Sequence, residues 1–333
     1  MKTAVLGLGF MGSIHVRAMI AAPGVELAAV YSADPAKLAG DLTGTQGNLG
    51  GPGQRFDFSQ VKPYGSIPDL LADPEIEAVD LCLPTWLHEE VAVAALRAGK
   101  HVLVEKPMAL DGNSARRMIA AADQAGRVLM CAHVLRFFPE YLALAQAIDD
   151  AMPGLGAVRA GFFGRRCGEP GWGGWLKDPA KSGGGAFDLL IHDIDTCLWL
   201  FGAPHAVSAT GCADWVAGQL FYDGFTVGIE GGWQASPAYP FGMEYRVTFD
   251  GGIVEYSSAG RPPVAFTDVE RVLPLASMDG YAAEIAYFVE CCVAGKPPER
   301  CPPEQSAQAV ELMHALLAAR ARNGEKIACG NRG

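Results

Sequence analysis

The opening twelve residues constrain this chain more than any other stretch. Thr3-Ala4-Val5-Leu6 is a short apolar run, and Gly7-Leu8-Gly9-Phe10-Met11-Gly12 follows it. A helical pattern then sets Met11, Ile14, Ala18 and Ala22 on one face. Strand, glycine turn and helix in that order carry the spacing of a dinucleotide fingerprint. Gly7 permits the turn, Gly9 lets backbone approach a pyrophosphate, and Gly12 allows close packing of helix on strand. Phe10 and Met11 sit between them and complete the candidate binding loop. The phosphates would lie at the helix N-terminus, where free N–H groups and the helix dipole favour anions. His15 falls on the helical stripe and reads as packing rather than catalysis.

Strand and helix patterns continue to alternate along the next hundred or so residues. Val25 to Tyr31 predicts a second strand, and Asp34-Pro35 predicts a helix cap with proline at the first helical position. Residues 40 to 53 hold six glycines and one proline without periodicity, which predicts a mobile loop lacking apolar anchors. Ile76 to Leu83 predicts a buried strand broken at Pro84-Thr85. Trp86 to Ala98 predicts a helix closing at Gly99, and His101 to Val104 another strand. Asn113 to Ala125 predicts a helix, and Val128 to Ala132 the last strand of a first domain. Short apolar strands alternating with helices imply an α/β fold with a doubly wound parallel sheet. Glu105-Lys106-Pro107 then stands at the carboxyl end of a strand, where open α/β sheets bind ligands. Pro107 keeps Lys106 out of helical geometry, and the lysine is either a surface charge or a cation aimed at cofactor and substrate.

The pattern changes near residue 155. Alternating segments at Ala157 to Phe163, Phe225 to Trp233, Glu244 to Phe249 and Ile253 to Tyr256 are separated by glycine-rich turns, which predicts an antiparallel sheet. Cys167 to Lys181, with Trp172 and Trp175, reads as an aperiodic loop long enough to be a lid or a wall of a substrate site. Helices are expected over Tyr281 to Ala294 and Glu304 to Arg322. The domain division is 1–132 for the dinucleotide-binding domain and 133–333 for an α+β domain.

Within that second domain, Ser182-Gly183-Gly184-Gly185 opens another helix, its glycines allowing a tight turn and leaving open space. Phe187, Leu190, Ile191, Ile194, Leu198 and Phe201 form one apolar stripe, while Asp188, His192, Asp195 and Trp199 form a second. A carboxylate one turn before a histidine can hold the imidazole in one orientation. An ordinary buried polar pair is the plainer alternative. A metal site from Asp188, His192 and Asp193 lacks a cysteine or second histidine at ligand spacing, so no metal is expected.

Taken together, Gly7-x-Gly9-x-x-Gly12, Glu105-Lys106-Pro107 and Gly183-Gly184-Gly185-x-x-Asp188-x-x-x-His192 resemble the glucose–fructose oxidoreductase / inositol dehydrogenase (Gfo/Idh/MocA) family over nearly the whole chain. The resemblance implies an N-terminal Rossmann domain and a C-terminal α+β domain with a large, mostly antiparallel sheet used for dimer or tetramer contacts. It implies NAD(P)-dependent hydride transfer at a carbinol carbon of a sugar or cyclitol. Lys106, Asp188 and His192 match the family's catalytic group, and Pro84, Thr85 and His88 look like its ribose-contacting turn, with Glu105 beside them. On this basis Lys106 and His192 come from different domains yet serve one cavity. Ser32 departs from the acid common in NAD-using members. A neutral hydroxyl there, with Lys37 five residues on and a helix capped near Asp34, gives a modest preference for NADP over NAD.

Composition sets the outer limits. The net charge of −11 argues against nucleic acid or an anionic membrane as a main partner. Nine cysteines without a Cys-x-x-Cys pair fit neither a zinc knuckle nor a disulfide framework. A strand starting at the third residue leaves no room for a signal peptide, and a cytoplasmic homo-oligomer acting on a small polyhydroxy molecule is expected. Two rivals share the fold: a non-catalytic NAD(P)-binding sensor, and a lyase or glycosidase that recycles its cofactor.

Overall fold

Six short strands form one all-parallel sheet in the order β3-β2-β1-β4-β5-β6. They are β1 (Lys2–Leu6), β2 (Glu26–Tyr31), β3 (Lys62–Tyr64), β4 (Ala78–Leu81), β5 (His101–Glu105) and β6 (Leu129–Ala132). Continuous burial along β4, β5 and β6 is what a sheet covered on both faces demands. Between the strands run α1 (Phe10–Ala21), α2 (Pro35–Leu38), α3 (Ile67–Ala72), α4 (His88–Arg97) and α5 (Gly112–Ala125). Strand order reverses between β1 and β4, the point at which such sheets bind ligands. The structure, a computed structural model, describes residues 1–47, 53–149, 152–171 and 173–330.

The second sheet has nine strands in the order β14-β13-β12-β11-β7-β10-β9-β8-β15. These are β7 (Val158–Gly168), β8 (Ala206–Gly211), β9 (Trp215–Tyr222), β10 (Phe225–Gln234), β11 (Gly242–Phe249), β12 (Ile253–Ser257), β13 (Arg261–Phe266), β14 (Glu270–Val272) and β15 (Ile327–Ala328). All their pairings are antiparallel except β7 with β10. The expected large, mostly antiparallel sheet is present. Helices α6 (Pro139–Asp149), α7 (Pro179–Ser182), α8 (Gly185–Phe201), α9 (Gly280–Ala294) and α10 (Pro303–Ala321) complete the chain. Phe187, Leu190, Ile191, Ile194 and Leu198 of α8 enter the core against Val227 and Ile229 of β10 and Val247 of β11, with Phe201 at its margin. The helical stripe read from the sequence is the buried one.

By compactness the chain divides into Met1–Val134 with Met278–Ala307, and Leu135–Ser277 with the residues from Gln308 onward. A single division at residue 132 omits the return of Met278–Ala307, whose helix α9 packs on α1. Among the described residues no helix is long and apolar enough to cross a membrane.

The glycine-rich segment 40 to 53 is tied down at both described ends. Leu42 is fully buried, Leu42 N–H donates to Gln54 O, and Phe56 N–H donates to Gly40 O. An apolar anchor is therefore present where none was expected; residues 48–52 of that segment, and Trp172 of the tryptophan loop, lie outside the described residues.

Candidate active site

The first unit carries the nucleotide half. Gly7 adopts φ +101°, and a β-carbon there would stand 2.5 Å from Cys82 O. A β-carbon on Gly12 would stand 1.8 Å from Gly7 O. The fold itself dictates these two glycines. Gly9 is different: its φ of −80° suits any residue, and a β-carbon there would meet nothing within 4 Å. Its bareness leaves backbone open at the N-terminus of α1, beside the β1/β4 switch point. That is the space a pyrophosphate needs, so the residues present fit a dinucleotide. Phe10 and Met11, both half-buried, begin α1, and a β-carbon on Gly47 would stand 1.9 Å from the Phe10 ring.

At the end of β2, the buried Ser32 accepts the Asp34 N–H on its Oγ at 3.1 Å. Asp34 caps α2 by accepting Ala36 N–H at 2.9 Å, with Pro35 at the first helical position, as expected. The helix is one turn long, however, so the anion-attracting N-terminus expected there is not built. Lys37 is half-buried on that turn.

Beyond β4, Pro84 leads into a 3₁₀ turn over Thr85–Leu87, and Thr85 is buried. His88 is 1% exposed, with Nδ1 2.9 Å from Pro107 O and Nε2 2.8 Å from Leu83 O. Each ring nitrogen faces a main-chain carbonyl, and the single N–H of a neutral ring donates to one of them, so His88 is engaged within the protein. It stitches the post-β4 turn to the segment after β5. Burial lowers its pKa.

Lys106 follows β5 and is half-buried, whereas every other residue from His101 to Ala109 is buried. Its bond to Pro107 is cis. Glu105 is 6% exposed, and its Oε2 accepts Lys106 N–H at 3.0 Å. Glu105 Oε1 lies 3.0 Å from Nε2 of His15, whose Nδ1 is 2.8 Å from Asp80 Oδ2. The Glu105 carboxylate is thus engaged inside the protein. Among the described residues, His15, Asp80 and Cys82 gather three potential metal-ligating atoms. The Nδ1–Oδ2 contact is a hydrogen bond in which the Asp80 carboxylate accepts. Helical periodicity alone makes His15 a packing residue; the signal that says otherwise is Asp80, a charge inside the apolar run Ala78-Val79-Asp80-Leu81.

The second unit carries the other candidate group. The glycine triplet does not leave open space, contrary to expectation. A β-carbon on Gly183 would stand 2.7 Å from the Phe187 ring, and one on Gly185 would stand 2.6 Å from the Trp233 ring. Gly185 N–H donates to Asp214 Oδ1 at 2.9 Å, which pins the start of α8. From Gly185 to Leu198 every residue is buried except Asp188 and His192. Asp195, placed by periodicity on their stripe, is 1% exposed and takes both a Nε–H and a Nη2–H bond from Arg136, at 2.9 and 2.7 Å. Asp193 is held likewise by Arg165, at 3.0 and 3.2 Å, and does not join Asp188 and His192 as a ligand. These two buried, bidentate pairs fix α8 to β7 and to the turn at Val134–Phe137. They set which face of α8 stays accessible.

Comparison with known proteins agrees with this architecture. Residues 1–133 match the family described as GFO/IDH/MocA oxidoreductase, NAD-binding Rossmann fold, and residues 141–255 match the GFO/IDH/MocA C-terminal domain. The chain is 39% identical over 136 residues to 1,5-anhydro-D-fructose reductase of Ensifer adhaerens, covering 40% of each protein. It is 33% identical over 212 residues to inositol 2-dehydrogenase 2 of Saccharopolyspora erythraea, covering 63% of this chain and 56% of that one. The chain spans about half the length of the curated relatives it matches. The crystal structure of aldose-aldose oxidoreductase from Caulobacter crescentus shares the fold, with a TM-score of 0.84 over 99% of both chains at 24% identity. With its glycine loop at the switch point of a Rossmann sheet, and the family's two domains matched in order, the chain belongs to the Gfo/Idh/MocA family of oxidoreductases.

Proposed function

We propose that this protein is an NAD(P)-dependent oxidoreductase acting at a carbinol carbon of a sugar, cyclitol or related polyhydroxy compound. One observation carries this: Lys106, Asp188 and His192 are each half-exposed within stretches whose other side chains are buried. Burial of a neighbourhood with selective exposure of its charged groups is what an acid–base site requires. Similarity to a sugar-derivative reductase and an inositol dehydrogenase supports the substrate class.

Gly7, Gly9, Gly12 and the first turn of α1 would hold the pyrophosphate, with Phe10 and Met11 beside it, and Ser32 and Lys37 would face the adenine ribose. Pro84 and Thr85 would contact a ribose of the cofactor. The bound nicotinamide supplies the hydride acceptor or donor. His192 takes the hydroxyl proton in oxidation, because an imidazole titrates near working pH. Asp188, one turn earlier, orients that ring and stabilises its protonated form. Lys106 holds the substrate oxygen and stabilises the developing alkoxide. The nine cysteines are free thiols, which suits a reducing cytoplasm. The face of the nine-stranded sheet opposite α8 is proposed to pair with a second copy.

Screening polyols and sugars for reduced nicotinamide decides between this function and its rivals. Stoichiometric reduced cofactor is expected. Product without net reduced cofactor would mean a recycling lyase or glycosidase, and cofactor binding without product would mean a sensor. Lys106→Ala should keep cofactor affinity and lose most turnover.

A further inference from the structure

Behind Lys106 runs a buried polar chain that the chemistry above does not use. Cys82 Sγ lies 3.6 Å from Asp80 Oδ1, and Asp80 Oδ2 accepts from His15 Nδ1 at 2.8 Å. His15 Nε2 lies 3.0 Å from Glu105 Oε1, an ion-pair contact rather than a hydrogen bond. Glu105 Oε2 then accepts the backbone N–H of Lys106 at 3.0 Å. His15 and Asp80 have no exposed surface. All these groups lie within the first unit.

With Asp80 and Glu105 both ionised, an imidazole whose two nitrogens face their oxygens satisfies both only by carrying a proton on each nitrogen. A neutral ring would leave one carboxylate opposed by a lone pair in a buried site, which is costly. The groups facing His15 are Asp80 on β4, Cys82 beyond it, Glu105 at the end of β5, and the Tyr281 ring on α9 at a centroid distance of 6.2 Å. Glu105 in turn feels Lys106 and His88. We propose that His15 is a positioning residue: a buried imidazolium, clamped between Asp80 and Glu105, that fixes the Glu105 carboxylate and through it the backbone from which Lys106 projects. Burial opposes charge on His15, yet Asp80 and Cys82 hold its pKa well above the ordinary value. Burial likewise pushes the Glu105 carboxyl up, but His15 and Lys106 outweigh it and leave it below its ordinary value. On the far side, Pro107 O lies 2.9 Å from His88 Nδ1, so both chain neighbours of Lys106 have buried polar contacts.

The proposal rests on Lys106 serving turnover, and the tests separate the two ideas. Nitrogen-15 spectra of histidine-labelled protein, without cofactor, should show both His15 ring nitrogens protonated at about pH 7.5, above the usual histidine midpoint. A neutral ring there would overturn the proposal. In Asp80→Asn the side-chain oxygen can still accept from Nδ1, but the charge is gone. The His15 midpoint, and with it the alkaline limb of kcat, should move to lower pH; an unmoved midpoint would also overturn it. His15→Gln, at saturating cofactor, should lower kcat by about ten- to a hundredfold, as small misplacements of a catalytic group do. Cofactor Kd should change far less than kcat. If His15→Gln fails to fold, the spectra and Asp80→Asn still decide. If Lys106→Ala keeps its turnover, the role given to Lys106 is wrong. If Lys106→Ala loses turnover while folded His15→Gln keeps it, only the proposal for His15 falls.

Discussion

Gly185 lies beneath the indole of Trp233, so close that a β-carbon would stand 2.6 Å from the ring. Trp233 cannot easily yield, because it is packed with Cys167 and Leu189 and bordered by Leu176 and Phe241. Gly185→Ala gains about 1 kcal/mol in helix propensity and loses about 1–3 kcal/mol to overpacking. The loss should win, because Asp214 pins the same residue from its backbone side. A lower Tm is expected, with kcat reduced because Asp188 lies three residues downstream on the same helix. Pairing Gly185→Ala with Trp233→Leu should restore part of the stability. Strict additivity of the two changes would show that the contact is not the cause.

The glycine loop offers a sharper contrast. Gly12→Ala would drive its methyl into Gly7 O and should cost about 2–3 kcal/mol whether or not cofactor is present. Gly9→Ala meets nothing and has an ordinary φ, so stability should change by less than about 0.5 kcal/mol. Its cofactor affinity should nonetheless fall by at least about tenfold, or ~1.4 kcal/mol. Thermal melts and cofactor titrations of both variants check this. Undiminished affinity in Gly9→Ala would remove the pyrophosphate from that site.

Much of this is legible in residues whose neighbours in sequence are also their physical context. The strand–glycine–helix unit, the capping by Asp34 and the apolar stripe of α8 all follow from local periodicity and backbone chemistry. Strands β8, β9 and β13–β15 are not legible in that way, nor is α6. Ala206–Gly211 and Trp215–Tyr222 pair to each other, and Trp215–Tyr222 pairs to β10; their mixed small and polar residues identify a strand only once that sheet exists. The parallel pairing of β7 with β10 likewise depends on a long-range topology that no local pattern encodes. At the candidate site, residue types are readable but their engagement is not. Nothing near His88 in sequence announces Pro107 O as its partner, and the Arg136–Asp195 and Arg165–Asp193 pairs span 59 and 28 residues.

Stability should respond to pH with opposite signs at two sets of histidines. Burial lowers the pKa of His88 and of His101, whose Nδ1 accepts Val128 N–H and so must be bare. The unfolded chain binds protons at these sites below about pH 6.5 while the folded chain does not, so stability falls as pH drops below that value. For His15 the folded pKa is raised despite burial, chiefly by Asp80. Its contribution is complete below about pH 6.5 and is lost as pH climbs towards the folded value. Melting curves across pH should therefore fall on both sides of a neutral maximum. His15→Gln should flatten the alkaline side and spare the acid side. An alkaline slope unchanged in His15→Gln would assign that limb to another group.

Cofactor choice turns on the end of β2. A carboxylate there accepts hydrogen bonds from ribose hydroxyls and repels a 2′-phosphate, which selects NAD. Here Ser32 fills the position, and its hydroxyl can still donate although its oxygen already accepts Asp34 N–H. Asp34 is close enough in sequence to replace the missing group, but its carboxylate is occupied in capping Ala36 N–H. Lys37, on the same turn, adds a cation. The one-turn α2 supplies no helix dipole of consequence, so these side chains decide the balance. A modest preference for NADP is expected when both cofactors are titrated at matched ionic strength. Lys37→Ala should weaken NADP more than NAD, and added salt should narrow the difference, because salt screens the attraction between the lysine and the phosphate. If NAD binds tighter by about tenfold (~1.4 kcal/mol), is indifferent to Ser32→Ala and is weakened by Asp34→Ala, the carboxylate's role belongs to Asp34 and the preference is reversed.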